Sequence, residues 1–173
     1  KSYSLSRRGA RFTRGRSDLS ADRDHTRGSM DRLRQRLAVA RKAVASLREI
    51  LEKPVATRIE RDAAIQRFEY SVEAVWRLAQ RYLSEIEGLD VASPKGAIRL
   101  CREEALLTDQ QASAALDMID DRNLTVHTYN EQLAQRIYRH LPRHMKLLET
   151  WLERMGSRIP PSQRQRRNDR SRA

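Results

Sequence analysis

The sequence is poor in the residues that build turns and sheets. Glycine occurs 6 times, proline 5 times, and aromatic side chains make up 5% of the 173 positions. Leu, Ile, Val and Ala are plentiful by contrast, and that balance favours helices over strands. A single cysteine, Cys101, excludes an internal disulfide and argues for a reducing compartment. Because it falls on an apolar helical face, its expected role is that of a small buried hydrophobe. No stretch approaches the roughly 18 apolar residues of a membrane span, so a soluble, cytoplasmic protein is expected. Also missing are a Gly-rich phosphate loop, a serine nucleophile elbow, paired-cysteine zinc spacing and a His-Glu-x-x-His helix. Neither a cofactor nor a metal is therefore expected.

Positive charge is in excess, but unevenly. The formal charge of +12 suggests phosphate-bearing partners. Residues 1–29 carry eight basic and three acidic groups and residues 156–173 carry six and one, which leaves +2 on residues 30–155. Both ends are rich in Arg, with Ser and Gly among them, a composition that reads as disordered. Met30 opens the helical pattern directly after Gly28 and Ser29, so residues 1–29 read as a basic extension that is disordered or not native. Residues 30–155 form the expected domain, and residues 156–173 a disordered basic tail.

Within the domain, five segments repeat apolar residues at helical spacing. The first, from Asp31, places Leu33, Leu37, Ala40, Val44, Leu47 and Leu51 on one stripe and stops at Pro54. A second runs from about Ala56 to Ile86 and closes at Gly88. The third opens with Ser93 as N-cap and Pro94 at the first helical position. A fourth is capped by Thr108 or Asp109, and a fifth runs from about Asn130 to Met155 with Pro142 predicting a bend. Short connections between them predict an all-α, up-and-down bundle of four to five helices.

Chemistry concentrates between the last two segments, in "DRNLTVHTYNE" at residues 121–131. On an ideal helix Arg122 and His127 stand about 140° apart, so they converge only where the helix distorts or a symmetric partner closes the site. One reading is a polar junction with an exposed Asp121–Arg122 pair and a His127 that satisfies a carbonyl. The other is a site. An imidazole moves protons at neutral pH and a guanidinium holds a phosphate, which together suffice for metal-independent RNA cleavage by the neighbouring 2′-hydroxyl. Glu69 and Glu73, beside Gln66, could line the same cleft, or form a solvated face with Arg77. His140 and His144 are four apart and could pair on a metal, but Pro142 lies between them and the sequence offers no nearby carboxylate as third ligand.

"RNLTVHTY" is similar to the Arg-x4-His-x-Tyr motif of HepT-like HEPN domains, a family also described as nucleotidyltransferase substrate-binding proteins. "IQRFEYSVEAVWRL" at 65–78 and "SPKGAIR" at 93–99 resemble two further signature blocks of that family, in the same order. The resemblance covers most of residues 31–155. It implies a four- or five-helix HEPN bundle that pairs as a homodimer, with the two motifs meeting in a cleft. It further implies a ribonuclease toxin, neutralised when an MNT-type nucleotidyltransferase antitoxin attaches AMP to the motif tyrosine. Carried over by residue, Arg122 and His127 would be catalytic, Asn123 would support them, and Tyr129 would accept AMP. One departure is Ala115, where relatives often carry Trp. An alternative within the same resemblance is a non-catalytic adaptor that presents substrate, or itself, to the transferase.

Overall fold

A computed structural model describes residues 16–53 and 57–161, with the helical backbone alone for residues 16–26. Five α-helices follow one another: α1 (Arg16–Leu51), α2 (Arg58–Tyr82), α3 (Pro94–Glu103), α4 (Asp109–Leu124) and α5 (Glu131–Arg158). A π-helical segment, Leu83–Glu87, extends α2, and a 3-10 turn, Thr125–His127, extends α4. No strand occurs among the described residues.

Local sequence fixes most of the helix ends. Thr57 caps α2 in a capping box with Glu60, and Thr108 rather than Asp109 caps α4 in another with Gln111. Ser93 caps α3 by accepting from the Gly96 amide at 3.1 Å, with Pro94 in the first turn as expected. Gly88 closes the π-helical segment with φ +70°, a left-handed conformation that glycine adopts without steric cost. Pro142 removes one amide donor from α5, yet the helix continues through it. Ile137 and Leu141 before it and Leu147 and Leu148 after it are all buried, so packing holds both halves in line.

Side-chain pairs across the interfaces define the topology. Ser29 meets Glu85 while Arg67 donates to the Ser46 carbonyl at 2.8 Å, so α1 and α2 run antiparallel. Arg34 reaches the Pro160 carbonyl and Arg48 pairs with Glu149, so α5 runs antiparallel to α1. Lys95 pairs with Asp120 and Arg102 with Asp109, which makes α3 and α4 an antiparallel hairpin. That hairpin intervenes in sequence between α2 and α5, which pack directly on each other and run parallel, with Arg61 on Glu131 and Phe68 on His144. The result is the expected all-α bundle around one continuous core that includes Leu33, Phe68, Tyr82, Ile98, Met118 and Trp151. Cys101 is fully buried in it, and burial pushes its thiol up to about 12, which keeps it unreactive.

The first helix begins earlier than the periodicity predicts. Helix α1 starts at Arg16, and Gly28 and Ser29 lie inside it rather than ahead of it. Ser29 is buried and its hydroxyl bonds to Glu85 at the end of α2, so part of the expected extension belongs to the bundle. At the other end, α5 passes Met155 and stops at Arg158. Residues 1–15, Pro54 and residues 162–173, including most of both expected basic tails, lie outside the described residues.

Candidate functional site at the α4–α5 junction

The stretch 121–131 is neither a plain loop nor a continuous helix. Helix α4 ends at Leu124, the chain tightens into one 3-10 turn through His127, and Asn130 starts α5 by accepting from the Leu133 amide at 3.1 Å. Threonines make this possible by using the carbonyls that the helix end leaves over. The Thr125 hydroxyl bonds to the Glu69 carboxylate and lies 2.7 Å from the Arg122 carbonyl. Thr128 donates to the Thr125 carbonyl at 2.9 Å. Thr125 is therefore an anchor that pins the turn to α2, a role its sequence position alone did not reveal.

What the turn presents is mostly solvent-facing. Asn123 and His127 are exposed, and Tyr129 is 84% exposed. The His127 and Tyr129 rings meet edge to face with centroids 6.0 Å apart. Arg122 is half-buried and lies 3.9 Å from Glu73 on α2. Glu73 also accepts from the Trp76 indole at 2.8 Å and from Arg77 at 2.9 Å, while the Arg77 guanidinium covers the Trp76 ring at 4.1 Å. Burial raises the Glu73 carboxyl, but hydrogen bonds from Trp76 and Arg77 and the charges of Arg77 and Arg122 outweigh it and hold the group below the usual carboxylate range.

The structure thus brings Glu69 and Glu73 to the motif, each through a different member, and Glu73 engages Arg77 as well. Gln66 is exposed, and no hydrogen bond ties it to the motif among the described residues. Nor does a hydrogen bond join Arg122 to His127 among those residues, although the helix does distort between them. Ala115 is fully buried, so the small side chain is accommodated in the packing of α4.

A second cluster lies one residue upstream. The Asp121 carboxylate is buried, and a single oxygen of it, Oδ2, is 2.7 Å from His140 Nδ1 and 2.8 Å from His144 Nε2. His144 is buried and stacks on Phe68 with centroids 5.4 Å apart. Burial pushes the His144 imidazole down despite Asp121, and the two imidazoles hold Asp121 down despite its own burial. Among the described residues this is the one group whose His, Cys, Asp or Glu ligand atoms converge as a metal site would need, all lying within 4.8 Å of one another. The expectation that His140 and His144 lack a carboxylate neighbour is therefore corrected. Asp121 stands 19 and 23 residues away in sequence, and only the antiparallel packing of α4 on α5 brings it there.

A helical bundle that presents Arg-x4-His-x-Tyr on an exposed turn defines a protein of the HEPN class. Residues 35–157 match the family model described as nucleotidyltransferase substrate binding protein like, and the chain belongs to this HepT-like HEPN family. It is similar to a Thermus thermophilus protein of solved structure, with 56% identity over 67% of this chain and 98% of that one and a TM-score of 0.65. At lower identity the fold alone is shared. A Haemophilus influenzae protein, described as the substrate binding domain of a nucleotidyltransferase, is 21% identical with a TM-score of 0.59 over 69% of this chain and 98% of its own. A tri-AMPylated Shewanella oneidensis HEPN toxin, solved in complex with an MNT antitoxin, is 15% identical with a TM-score of 0.61 over 72% and 96%. No curated protein matches the chain. Among the described residues no helix is long and apolar enough to cross a membrane.

Proposed function

We propose that the protein is a HEPN toxin: an endoribonuclease that works without metal in the cleft of a homodimer and is silenced when an MNT-type nucleotidyltransferase attaches AMP to Tyr129. The observation that carries this reading is the presentation of the intact motif. Arg122 and Asn123 end α4, and His127 and Tyr129 follow on the turn; Asn123, His127 and Tyr129 face solvent, while Arg122 is half-buried against Glu73. A junction that was merely structural would have His127 satisfying a buried carbonyl, whereas here the ring is exposed.

In the chemistry we assign, the His127 imidazole takes the proton of an RNA 2′-hydroxyl as its oxygen attacks the adjacent phosphorus. The bond to the 5′-oxygen breaks, that oxygen takes a proton from solvent as it leaves, a 2′,3′-cyclic phosphate forms, and the His127 imidazolium returns its proton to solvent. Arg122 stabilises the charge that develops on the phosphate oxygens. Asn123, at the solvent side of the same turn, orients the phosphate. Glu73 fixes Arg122, and Glu69 fixes the turn through Thr125; Gln66 stays at the margin. Because Arg122 and His127 do not engage each other within one chain, a second copy supplies the missing partner across a two-fold axis. Exposed Val126, Tyr70 and Val39 around the motif and Glu73 give such a contact its apolar part.

Silencing follows from the same exposure. The Tyr129 hydroxyl attacks the α-phosphorus of ATP held by the transferase, pyrophosphate leaves, and the bulky, charged AMP then stands beside His127 and blocks the phosphate path. RNA incubated with the purified protein in EDTA tests the core of the proposal: cleavage is expected, with His127→Ala inert. Cleavage that needs added metal, or an unaffected variant, would sink it. The adaptor reading is favoured by the family's description as substrate-binding; it requires that the unmodified protein leave RNA intact while Tyr129 still accepts AMP.

A further inference from the structure

We propose that Asp121, His140 and His144 form a binding site for a divalent transition metal of the zinc type, which clamps the end of α4 to the middle of α5. The two histidines are four residues apart, the spacing that puts two imidazoles on one face of a helix in zinc enzymes. That spacing counts only if the helix is continuous, and α5 runs unbroken through Pro142. The third ligand comes from the neighbouring helix and is a carboxylate, which completes a donor set that zinc commonly takes.

The geometry is close to what a metal would need. Ligand atoms about 2.0–2.1 Å from a tetrahedral zinc stand roughly 3.3 Å from one another. Here Asp121 Oδ2 lies 2.7 Å from one imidazole nitrogen and 2.8 Å from the other, so these two edges open by about half an ångström to admit the ion, while the edge between the two imidazoles is within 4.8 Å. Phe68 already holds the His144 ring in place by stacking on it. His140, with 31% of its side chain exposed, leaves an approach from solvent and a fourth position for water. Arg143 Nη2 is 3.9 Å from Asp121 Oδ2, but its side chain is 57% exposed and can swing outward as the cation enters. Once the metal takes the nitrogen now facing Asp121, each neutral imidazole carries its proton on the other ring nitrogen.

Asp121 immediately precedes Arg122, so occupancy would fix the turn from which the motif departs without touching the reacting groups. The site does not rest on the ribonuclease reading, and its failure would leave that reading standing. The test uses the full chain, stripped with a chelator, dialysed and titrated calorimetrically with zinc chloride. One zinc per chain is expected, together with a rise in the thermal unfolding midpoint. The conservative Asp121→Asn and the more exposed His140→Ala should each weaken binding by about 10- to 100-fold or more. His127→Ala should bind as wild type does, and cobalt should give the intense visible bands of tetrahedral coordination. A protein that takes up no stoichiometric zinc, or one whose affinity survives both ligand substitutions, shows the cluster to be a hydrogen-bonded triad only and overturns the proposal. Equal loss in His127→Ala would do the same.

Discussion

Tyr129 and His127 are left to solvent, Tyr129 being the most exposed large aromatic among the described residues. Phe68, Tyr82 and Trp151 are fully buried, and His144 is packed against Phe68. A single exposed tyrosine is ordinary on a protein surface, so Tyr129 stands out by its place in the motif rather than by its exposure alone. Under the proposed function its exposure gives the transferase access. Tyr129→Phe removes only the acceptor oxygen from an exposed ring, so RNA cleavage should stay within a few-fold of wild type. Mass spectrometry of protein co-expressed with the transferase should show AMP on the Tyr129 peptide of wild type and none on the variant. AMP retained by Tyr129→Phe would place the acceptor elsewhere.

At the scale of elements, caps explain more than propensity does. Thr57 and Thr108 each close a capping box, and losing such a cap costs about 1 kcal/mol. Thr57→Ala should therefore lower stability by about that amount in urea unfolding, without changing the slope of the transition. Acid acts on the same ends. Hydrogen bonds from Lys53, then from the Thr57 amide and hydroxyl, hold Glu60 at about 2, below its ordinary 4.5. Arg61 and then Gln135 pull Glu131 down in the same direction. A carboxyl with a depressed folded pKa binds more protons when unfolded. Its contribution is thus full above the unfolded value and is lost as pH falls towards the folded one. Urea midpoints should accordingly fall between about pH 5 and about pH 2, this part of the decline being smaller in Glu60→Gln, after an earlier loss below about pH 6.5 where His144, pushed down by burial, takes up a proton on unfolding. A midpoint that rises on acidification would contradict the sign.

Much of this element map is legible in the sequence because caps and apolar stripes are local signals. Ser93, Pro94, Thr108, Gly88 and Asn130 all sit at the helix boundaries that their chemistry predicts. The start of α1 was not legible. Gly28 and Ser29 resemble breakers, and upstream of them no apolar stripe announces a helix, yet contact with Glu85 draws Ser29 into the bundle. The motif itself was legible through its resemblance to the family's Arg-x4-His-x-Tyr signature, which spacing alone did not decide. Its support was less so: Glu69 and Glu73 could be placed on the right helix, but Thr125 as the link to Glu69 and Asp121 as the partner of two histidines depend on how helices pack across long sequence separations.

For the whole molecule, charge and symmetry decide how the site would work. The body of the chain is nearly neutral, so the phosphate of a bound RNA must be met by particular guanidinium groups and not by a general field. Arg32, Arg36 and Arg77 line an open groove with Glu73 beside the motif, and under the proposed function they would meet the phosphates of a strand on its way to Arg122. Within one chain Arg122 is turned to Glu73 while His127 faces solvent, and under the proposed function a two-fold partner would bring the two together. The most direct measurement mixes two inactive chains. Arg122→Ala and His127→Ala, each inert towards RNA in EDTA, would be co-expressed with different tags and purified as the mixed pair. If Arg122 of one chain works with His127 of its partner, the mixed pair keeps one intact site and recovers about half of the wild-type cleavage rate. A mixed pair as inert as its parents, beside an active wild type, would contradict the shared cleft.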